Sequence, residues 1–166
     1  ALTYLPTGSM VAAPTTSLAE APGRSANWDY RFGWIGDAVW ALDILIDSNY
    51  LDEAHAWRDW LLRLMDEHGD IHVLYDLDGD DSPEESEIDW LPGHLDSRPV
   101  RVGNAARDQH QLDVYGQLID FLHIGRRSGM RTNQQTWYRQ CRLMDRIAAC
   151  WHEPDEGIWE LRGRRR

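Results

Sequence analysis

The pattern of hydrophobic and polar positions predicts four helices. From Asp37 to Asn49 the residues are apolar almost all round, which is typical of a buried helix. Asp52–Glu67 has apolar residues at helical spacing on one side only, which predicts a surface helix. Two more helices are predicted at about Asn104–Arg126 and Gln134–Trp151. The apolar side of the last helix carries Trp137, Cys141, Met144 and Ala148. A buried helix followed by a surface helix, twice over, predicts an all-α fold with two concentric layers.

The loops ahead of the inner helices are rich in polar and aromatic residues. These loops are 27–37, 93–108 and 154–160. In a toroid of helical hairpins the inner helices start on one rim, where free N–H groups face a ligand. We therefore expect the three loops to converge on a single cleft.

Two irregular regions carry weaker predictions. The connection 68–103 is long enough to suggest a functional loop, and its HVLYDLDG run predicts a short hairpin that turns at DG. The lead-in 1–26 is rich in small residues and Pro, and its first residues are predicted as the tail of a helix.

Composition and charge exclude several classes of partner. The 166 residues suit one domain with a sizeable core, and the formal net charge of −11 argues against nucleic acid, whose phosphates would be repelled. No run reaches the length of a membrane span, so no membrane is expected as a partner.

Cys141 and Cys150 lie too far apart along one predicted helix to pair. Free thiols favour a reducing compartment, so a cytoplasmic location is predicted.

The sequence shows no metal or cofactor motif. The seven His lack a ligand spacing such as H-E-x-x-H, and the DLDGDD run lacks the closing Glu of a calcium loop. There is also no Gly-rich phosphate loop. We therefore predict no metal and no cofactor.

The stretch Asn27–Ala38, NWDYRFGWIGDA, is the strongest candidate for binding chemistry. Aromatic rings stack on the C–H faces of sugars and other flat ligands, while Asp and Arg form hydrogen bonds with hydroxyls or charges. The alternative is a Trp-rich corner of the core in which Asp37 is only the helix N-cap. The residues alone leave both interpretations open.

Four segments resemble, in order, motifs of glycoside hydrolase family 15, which includes glucoamylases, glucodextranases and bacterial trehalase-type enzymes. The segments are GSMVAAPTTSL, NWDYRFGWIGDA, SRPVRVGNAARDQHQLDVYG and PDEGIWELRG, and they cover essentially the whole chain. The resemblance implies an (α/α)6 barrel. Residues 1–166 would then be a single incomplete α/α-toroid catalytic domain fragment with about the first five helices.

The resemblance also implies hydrolysis of α-glucosidic bonds with inversion. Two carboxyl groups then stand ~6.5–9.5 Å apart, so that a water fits between the base and the sugar. Glu160 would be the general acid, with the neighbouring Trp159 as an apolar surround that raises its pKa. The alternative for Glu160 is a solvated loop carboxylate. The general base would lie in the latter half of the barrel, and no motif for it precedes Arg166, so this fragment alone is expected to be inactive.

The resemblance implies that Tyr30, Trp34 and Asp37 hold the terminal glucose of trehalose or another α-linked oligosaccharide. Core packing is the alternative for the two aromatic residues. Arg107 and Asp108 would lie at the start of an inner helix, at or just behind the rim of the site. A buried structural ion pair explains these two residues equally well.

Gly36 departs from the resemblance, because the family usually has Arg directly before the motif Asp. One hydrogen bond from a guanidinium is worth ~1.5–3 kcal/mol, so its loss should weaken glucose binding. Arg31 and Arg98 are the candidates to replace it. Gly36 also keeps open a non-catalytic alternative, a glycosidase-like carbohydrate-binding or regulatory domain of the type found in phosphorylase kinase subunits. Within the hydrolase interpretation, the motifs slightly favour a trehalase-like or short-oligosaccharide enzyme.

Overall fold

Helices dominate the fold. The computed structural model describes residues 2–16 and 18–162, so Ser17 and Gly163 of the motifs quoted above lie outside the described residues. The helices are α1 (Ile35–Asp47), α2 (Leu51–Glu67), α3 (Leu112–Arg127) and α4 (Gln134–Cys150). The bounds of α1, α2 and α4 agree with the prediction to within two residues, and the all-α class is confirmed.

The helices pack in the order expected for part of an α/α toroid. Helix α1 packs against α2 and α3, α3 packs against α4, and α2 also contacts α4. The rings of Trp57 on α2 and Phe121 on α3 meet edge to face, with centroids 4.9 Å apart. Edge-to-face pairs add to the burial energy of such large side chains. Helices α1 and α3 are therefore inner neighbours, and α2 and α4 lie outside them.

Two helices present different faces from those predicted. Helix α1 is not buried all round, because Trp40 is 63% and Ile44 68% exposed. On α4 the expected apolar side is also wrong, since Trp137 and Met144 are 56% and 51% exposed. The buried side of α4 instead carries Arg139, whose guanidinium forms an ion pair with Asp66 of α2. An opposite charge at the contact makes it possible to bury a polar side chain there.

Helix α3 begins at Leu112, eight residues later than predicted. The preceding NAARD segment forms a separate 3-10 helix, Ala105–Asp108, which Asn104 caps by accepting a hydrogen bond from the Ala106 N–H at 2.9 Å. Arg107 and Asp108 therefore lie on this short turn and not at the start of an inner helix.

Short strands join the loops to the helices. They pair antiparallel as β1 (Thr3–Tyr4) with β2 (Ser9–Met10), β3 (Gly33–Trp34) with β4 (Leu74–Tyr75), and β5 (Ser86–Ile88) with β6 (Val100–Val102). The expected N-terminal helix tail is wrong, since β1 occupies it. The expected HVLYDLDG hairpin is also wrong, because β4 pairs with β3 from a remote part of the chain. Its DLDGD run is a turn in which Asp76 Oδ1 accepts three backbone N–H groups, from Asp78, Gly79 and Asp80.

Candidate active site

The strand β3 and the first turn of α1 place the aromatic motif. The register of β3 against β4 sets Trp34 opposite Leu74, and the Ile35 N–H donates to the Val73 carbonyl at 3.0 Å. The ring of Tyr30 lies 5.4 Å from that of Trp34 between centroids. Helix α1 has Trp34 at its N-cap position, and no side chain forms a cap bond there. Asp37 therefore lies inside the first turn and is not the N-cap.

The segment 155–161 is fastened to the start of α3. The backbone N–H of Leu112 donates to Asp155 Oδ2 at 3.0 Å, and that of His110 donates to Glu156 Oε2 at 2.8 Å. Carboxylates at the start of a helix satisfy its free N–H groups and its positive dipole. Two acidic side chains thus attach the segment that carries Glu160 to the rim of the inner layer.

Glu160 meets the aromatic motif across this rim. The indole N–H of Trp34 donates to Glu160 Oε1 at 2.7 Å, although the two residues are 126 positions apart. A cavity of about 340 Å³ opens beside them, a volume within the range of small-molecule sites. Five of the seven predicted site residues line it: Tyr30, Trp34, Asp37, Trp159 and Glu160.

Partial desolvation raises the pKa of the carboxyl groups in this cavity. The pKa of Glu160 is raised mainly by desolvation, which outweighs the hydrogen bond from Trp34, while the negative charge of Asp37 raises the pKa further. The pKa of Asp37 is raised by desolvation as well. A carboxyl whose neutral form is favoured can hold a proton that a neighbouring group then takes. Trp159 is 84% exposed, so the apolar surround of Glu160 comes mainly from other residues.

Arg107 and Asp108 lie away from this cavity. Both line a different space, of about 280 Å³, beside Asp70 and His72. Arg107 donates to the carbonyl of Ser82, and its Nε is 3.4 Å from an Asp108 oxygen. The Asp108 side chain is 77% exposed, so the alternative of a buried ion pair is wrong.

Three polar side chains of the cavity were missed by sequence reasoning: Gln111, Asp113 and Gln117. Asp113 Oδ1 and Gln117 Oε1 are buried without a hydrogen-bond partner among the described residues. Desolvation raises the pKa of Asp113 too. The i, i+4 spacing of Asp113 and Gln117 places both side chains on one face of an inner helix, and this pattern could have identified them. The prediction started α3 eight residues too early, so these two residues were not assigned to the first turns of the helix.

Because position 36 is Gly, it contributes no cationic side chain to the cavity. A Cβ at this position would lie 2.7 Å from Gln117 Oε1, so Gln117 fills the space that a side chain would need. Neither Arg31 nor Arg98 replaces the missing guanidinium, because Arg31 pairs with Asp29 at 2.7 Å and Arg98 donates to the Asp89 carbonyl. The described residues that line the cavity include no Lys or Arg.

A second cavity adjoins the first. It measures about 320 Å³ and shares Tyr30, Trp159 and Glu160 with its neighbour. Its wall also carries Arg162, which bonds to both carboxylate oxygens of Glu85 at 2.8 and 2.7 Å and lies 3.7 Å above the ring of Trp28. Glu160 therefore stands between two spaces of similar size.

A partial α/α toroid with a half-buried carboxyl between aromatic-lined cavities is an arrangement typical of carbohydrate-active enzymes. Comparison with known families agrees, since the profile of Glycosyl hydrolases family 15 matches residues 1–166. The chain belongs to this family.

Relatives with curated names are trehalases. The chain is 42% identical to Trehalase 1 of Sulfolobus acidocaldarius over 98% of this chain and 30% of that protein. It is 39% identical to a trehalase of Thermoplasma acidophilum over 97% of this chain and 28% of that protein. It is 38% identical to a trehalase of Mycobacterium tuberculosis over 98% of this chain and 24% of that protein. The chain thus spans less than a third of the length of these relatives.

Two further comparisons are negative. No solved structure matches the chain. Among the described residues, none of the helices has the length and apolar character needed to cross a bilayer.

Proposed function

We propose that this chain supplies the proton donor and part of the sugar-binding wall of an inverting α-glucoside hydrolase. The observation that carries the proposal is the Trp34–Glu160 hydrogen bond at 2.7 Å, beside a cavity in which burial raises the pKa of Glu160. Relatives named trehalase support trehalose as the substrate, ahead of maltose or longer α-linked oligosaccharides.

Glu160 acts as the general acid. Its protonated carboxyl donates to the bridging oxygen as the bond to the departing sugar breaks, and the N–H of Trp34 holds the other oxygen in place. Inversion requires a second carboxylate on the far side of the ring, ~6.5–9.5 Å away, to activate water. We propose that sequence outside residues 1–166 supplies it, so that these residues alone are inactive.

The two adjoining cavities accommodate two sugar units. A disaccharide that spans Glu160 would place one ring in each cavity and its bridging oxygen at the shared carboxyl. The rings of Tyr30 and Trp34 offer faces for sugar C–H groups. Trehalose consists of two glucose units, and the similar volumes of the two cavities suit such a substrate.

The polar wall favours a neutral sugar. Asp37, Asp113 and Gln117 present acceptor oxygens, which suit the O–H donors of hydroxyl groups. Without a Lys or Arg in the wall of this first cavity, a phosphorylated or acidic sugar ring bound there would meet uncompensated negative charge. We therefore expect unmodified trehalose to bind and a phosphorylated glucose unit to be rejected from this cavity.

The test is Glu160→Gln in the full-length protein. Without a proton for the leaving oxygen, glucose release from trehalose, maltose and dextran should fall about 10²–10⁴-fold. The matched control is Glu153→Gln, an exposed carboxyl just beyond α4, which should leave the rates unchanged. Equal rates for wild type and Glu160→Gln would remove Glu160 from the mechanism.

A non-catalytic sugar-binding domain is the second candidate function, and Gly36 is the observation that favours it. The glucose-release assay on the wild-type protein, combined with a measurement of trehalose binding, separates the two candidates. Trehalose binding by calorimetry, with no glucose released by the wild-type full-length protein, would support the binding domain and contradict the hydrolase.

A further inference from the structure

Three potential metal ligands cluster outside the cavities that contain Glu160. They are His68 at the end of α2, His72 ahead of β4, and Asp81 in the loop after β4. One ligand atom from each residue lies within 4.8 Å of the other two. None of the three lines either cavity beside Glu160. The cluster is therefore separate from the proposed sugar site.

The hydrogen bond of His68 fixes which of its nitrogens is free. Its Nε2 lies 2.9 Å from the carbonyl oxygen of Gly79, and because a carbonyl only accepts, Nε2 carries the hydrogen. In the neutral ring Nδ1 then has a lone pair, and it faces Asp81 Oδ1 at 3.8 Å. A metal ion between these two acceptors, or a proton on Nδ1, would remove their mutual repulsion. A His that donates one N–H to a carbonyl and offers its other nitrogen is the usual arrangement at metal sites.

The surroundings hold this arrangement in place. Tyr75 is fully buried, and its ring lies 5.0 Å from that of His68 and 5.6 Å from that of His72, between centroids. The backbone N–H of His72 donates to the Tyr75 hydroxyl at 2.9 Å. The Asp76 turn fixes the loop that carries the Gly79 carbonyl and leads to Asp81. The backbone that carries both imidazoles and the carboxylate is thus well supported.

The local charge also favours a cation. The last turn of α2 contains no basic residue, and the C-terminal end of a helix carries partial negative charge. The adjoining loop adds the acidic side chains of Asp78 and Asp80, which are both exposed. A divalent ion at this position would be attracted by the helix end and by the loop together.

We propose that His68, His72 and Asp81 bind a divalent transition metal of the zinc class. Two imidazole nitrogens and a carboxylate suit Zn²⁺, whereas Mg²⁺ and Ca²⁺ require oxygen ligands. Bonds of ~2.0–2.2 Å in a tetrahedron place ligand atoms about 3.3 Å apart. The side chains of His72 and Asp81 are exposed, so they rotate readily to close the remaining distance, and water completes the shell. The site departs from the sequence-based expectation of no metal, which rested on motif spacing alone.

The metal would stabilise the fold by cross-linking two segments of the chain. It would join the end of α2 to the segment of β4, and β4 pairs with β3, which carries Trp34. This inference does not depend on the proposed hydrolase function, because its test measures metal binding and thermal stability, with no substrate present.

The experiment is a calorimetric titration of the full chain with ZnCl2, after purification without a histidine tag and treatment with a chelator. His72→Gln and Asp81→Asn are the test variants, because both side chains are exposed and their replacement should not unfold the chain. His123→Gln, an exposed His on α3, is the matched control. Melting temperatures of all four proteins are measured with and without Zn²⁺.

We expect one Zn²⁺ per wild-type chain, the same affinity for His123→Gln, and an affinity at least about tenfold lower for both test variants. Zn²⁺ should raise the melting temperature of the wild type and His123→Gln only. Absence of one-to-one binding by the wild type, unchanged affinity in the test variants, or equally tight binding of Mg²⁺ would each overturn the proposal.

Discussion

Glu160 has a backbone conformation that its residue type disfavours. Its φ of 50° lies in the left-handed region, which costs a non-Gly residue of order 1–3 kcal/mol. The local chain compensates through the Glu160 N–H, which donates to the Gly157 carbonyl at 3.0 Å, and through the side-chain bond from Trp34. Strain of this kind persists only where the surroundings impose it. The carboxyl is therefore held toward the cavity by both its backbone and its partner.

Trp34→Phe tests the contribution of that partner. The substitution keeps an aromatic ring in the core and removes the N–H that favours the ionised carboxylate, so the pKa of Glu160 should rise further. A general acid must be protonated, so the alkaline limb of the pH profile of kcat/KM should move to higher pH. A lost hydrogen bond to a charged group is worth ~1.5–3 kcal/mol, so activity at the optimum should fall roughly tenfold or more.

The control for this prediction is Trp40→Phe, a substitution of an exposed tryptophan at the rim of the same cavity. Its pH profile should match that of the wild type. An alkaline limb that stays in place in Trp34→Phe would show that the hydrogen bond does not tune Glu160.

At the residue scale the sequence predicted the cavity residues that lie in short motifs better than it predicted the polar residues at the start of α3. Tyr30, Trp34, Asp37 and Glu160 belong to short motifs that can be recognised from their own letters. Gln111 and Asp113 became visible only once the start of α3 was known, and Arg162 only once its pairing with Glu85, 77 positions away, was seen. No local pattern encodes a partner at that distance.

At the scale of elements, the contact between α1 and α3 supports the inner layer. Leu118 of α3 is fully buried in the common core, together with Leu42 of α1. Leu118→Ala should lower the free energy of unfolding by about 2–5 kcal/mol, because it removes buried methyl groups and leaves a cavity. Urea denaturation monitored by circular dichroism measures the change.

Met144→Ala on α4 is the comparison for Leu118→Ala. Met144 is 51% exposed, and a substitution at the surface should change stability by no more than about 0.5 kcal/mol. Equal losses for the two variants would contradict the assignment of α3 to the core and of this side of α4 to the surface.

The spacing of apolar residues predicted the positions of the helices, but it did not always predict which face of a helix is buried. The bounds of α2 and its buried residues Ala54, Trp57, Leu61 and Leu64 were predicted, because one amphipathic stripe faces the core. The buried face of α4 was not, because Arg139 is neutralised by Asp66, 73 positions earlier in the chain. The prediction of strand pairing was wrong for the same reason, since β4 pairs with β3 from a remote part of the chain and not with the residues that follow it.

For the molecule as a whole, two groups of carboxyls respond to pH in opposite directions. Burial raises the pKa of Asp37, Asp113 and Glu160, whereas Arg162 holds the pKa of Glu85 below its usual range. A raised pKa means that the ionised form costs stability at neutral pH, and that the cost disappears below the ordinary carboxyl range near ~4. A lowered pKa means that stability is gained above that range and lost as the pH falls through the lowered value.

The variants Glu160→Gln and Glu85→Gln should therefore change stability with opposite signs at pH 7. Glu160→Gln should raise the melting temperature, because the neutral amide removes the cost of a buried charge. Glu85→Gln should lower the free energy of unfolding by about 1–3 kcal/mol, because Arg162 loses a carboxylate that is only 16% exposed. The Glu160→Gln difference should shrink as the pH falls towards ~4, and the Glu85→Gln difference should shrink as the pH falls below ~4. Calorimetric scans from pH 3 to pH 8 check this, and two shifts of the same sign would contradict it.

The span between Trp34 and Glu160 determines when the site forms during translation. At roughly 5–20 residues per second, the 126 positions between them take about 6–25 s to synthesise. Helices α1 and α2 therefore leave the ribosome while Glu160, the proposed proton donor, is still untranslated. The nascent chain can therefore assemble the aromatic side of the cavity before it carries the carboxyl that we propose as the acid.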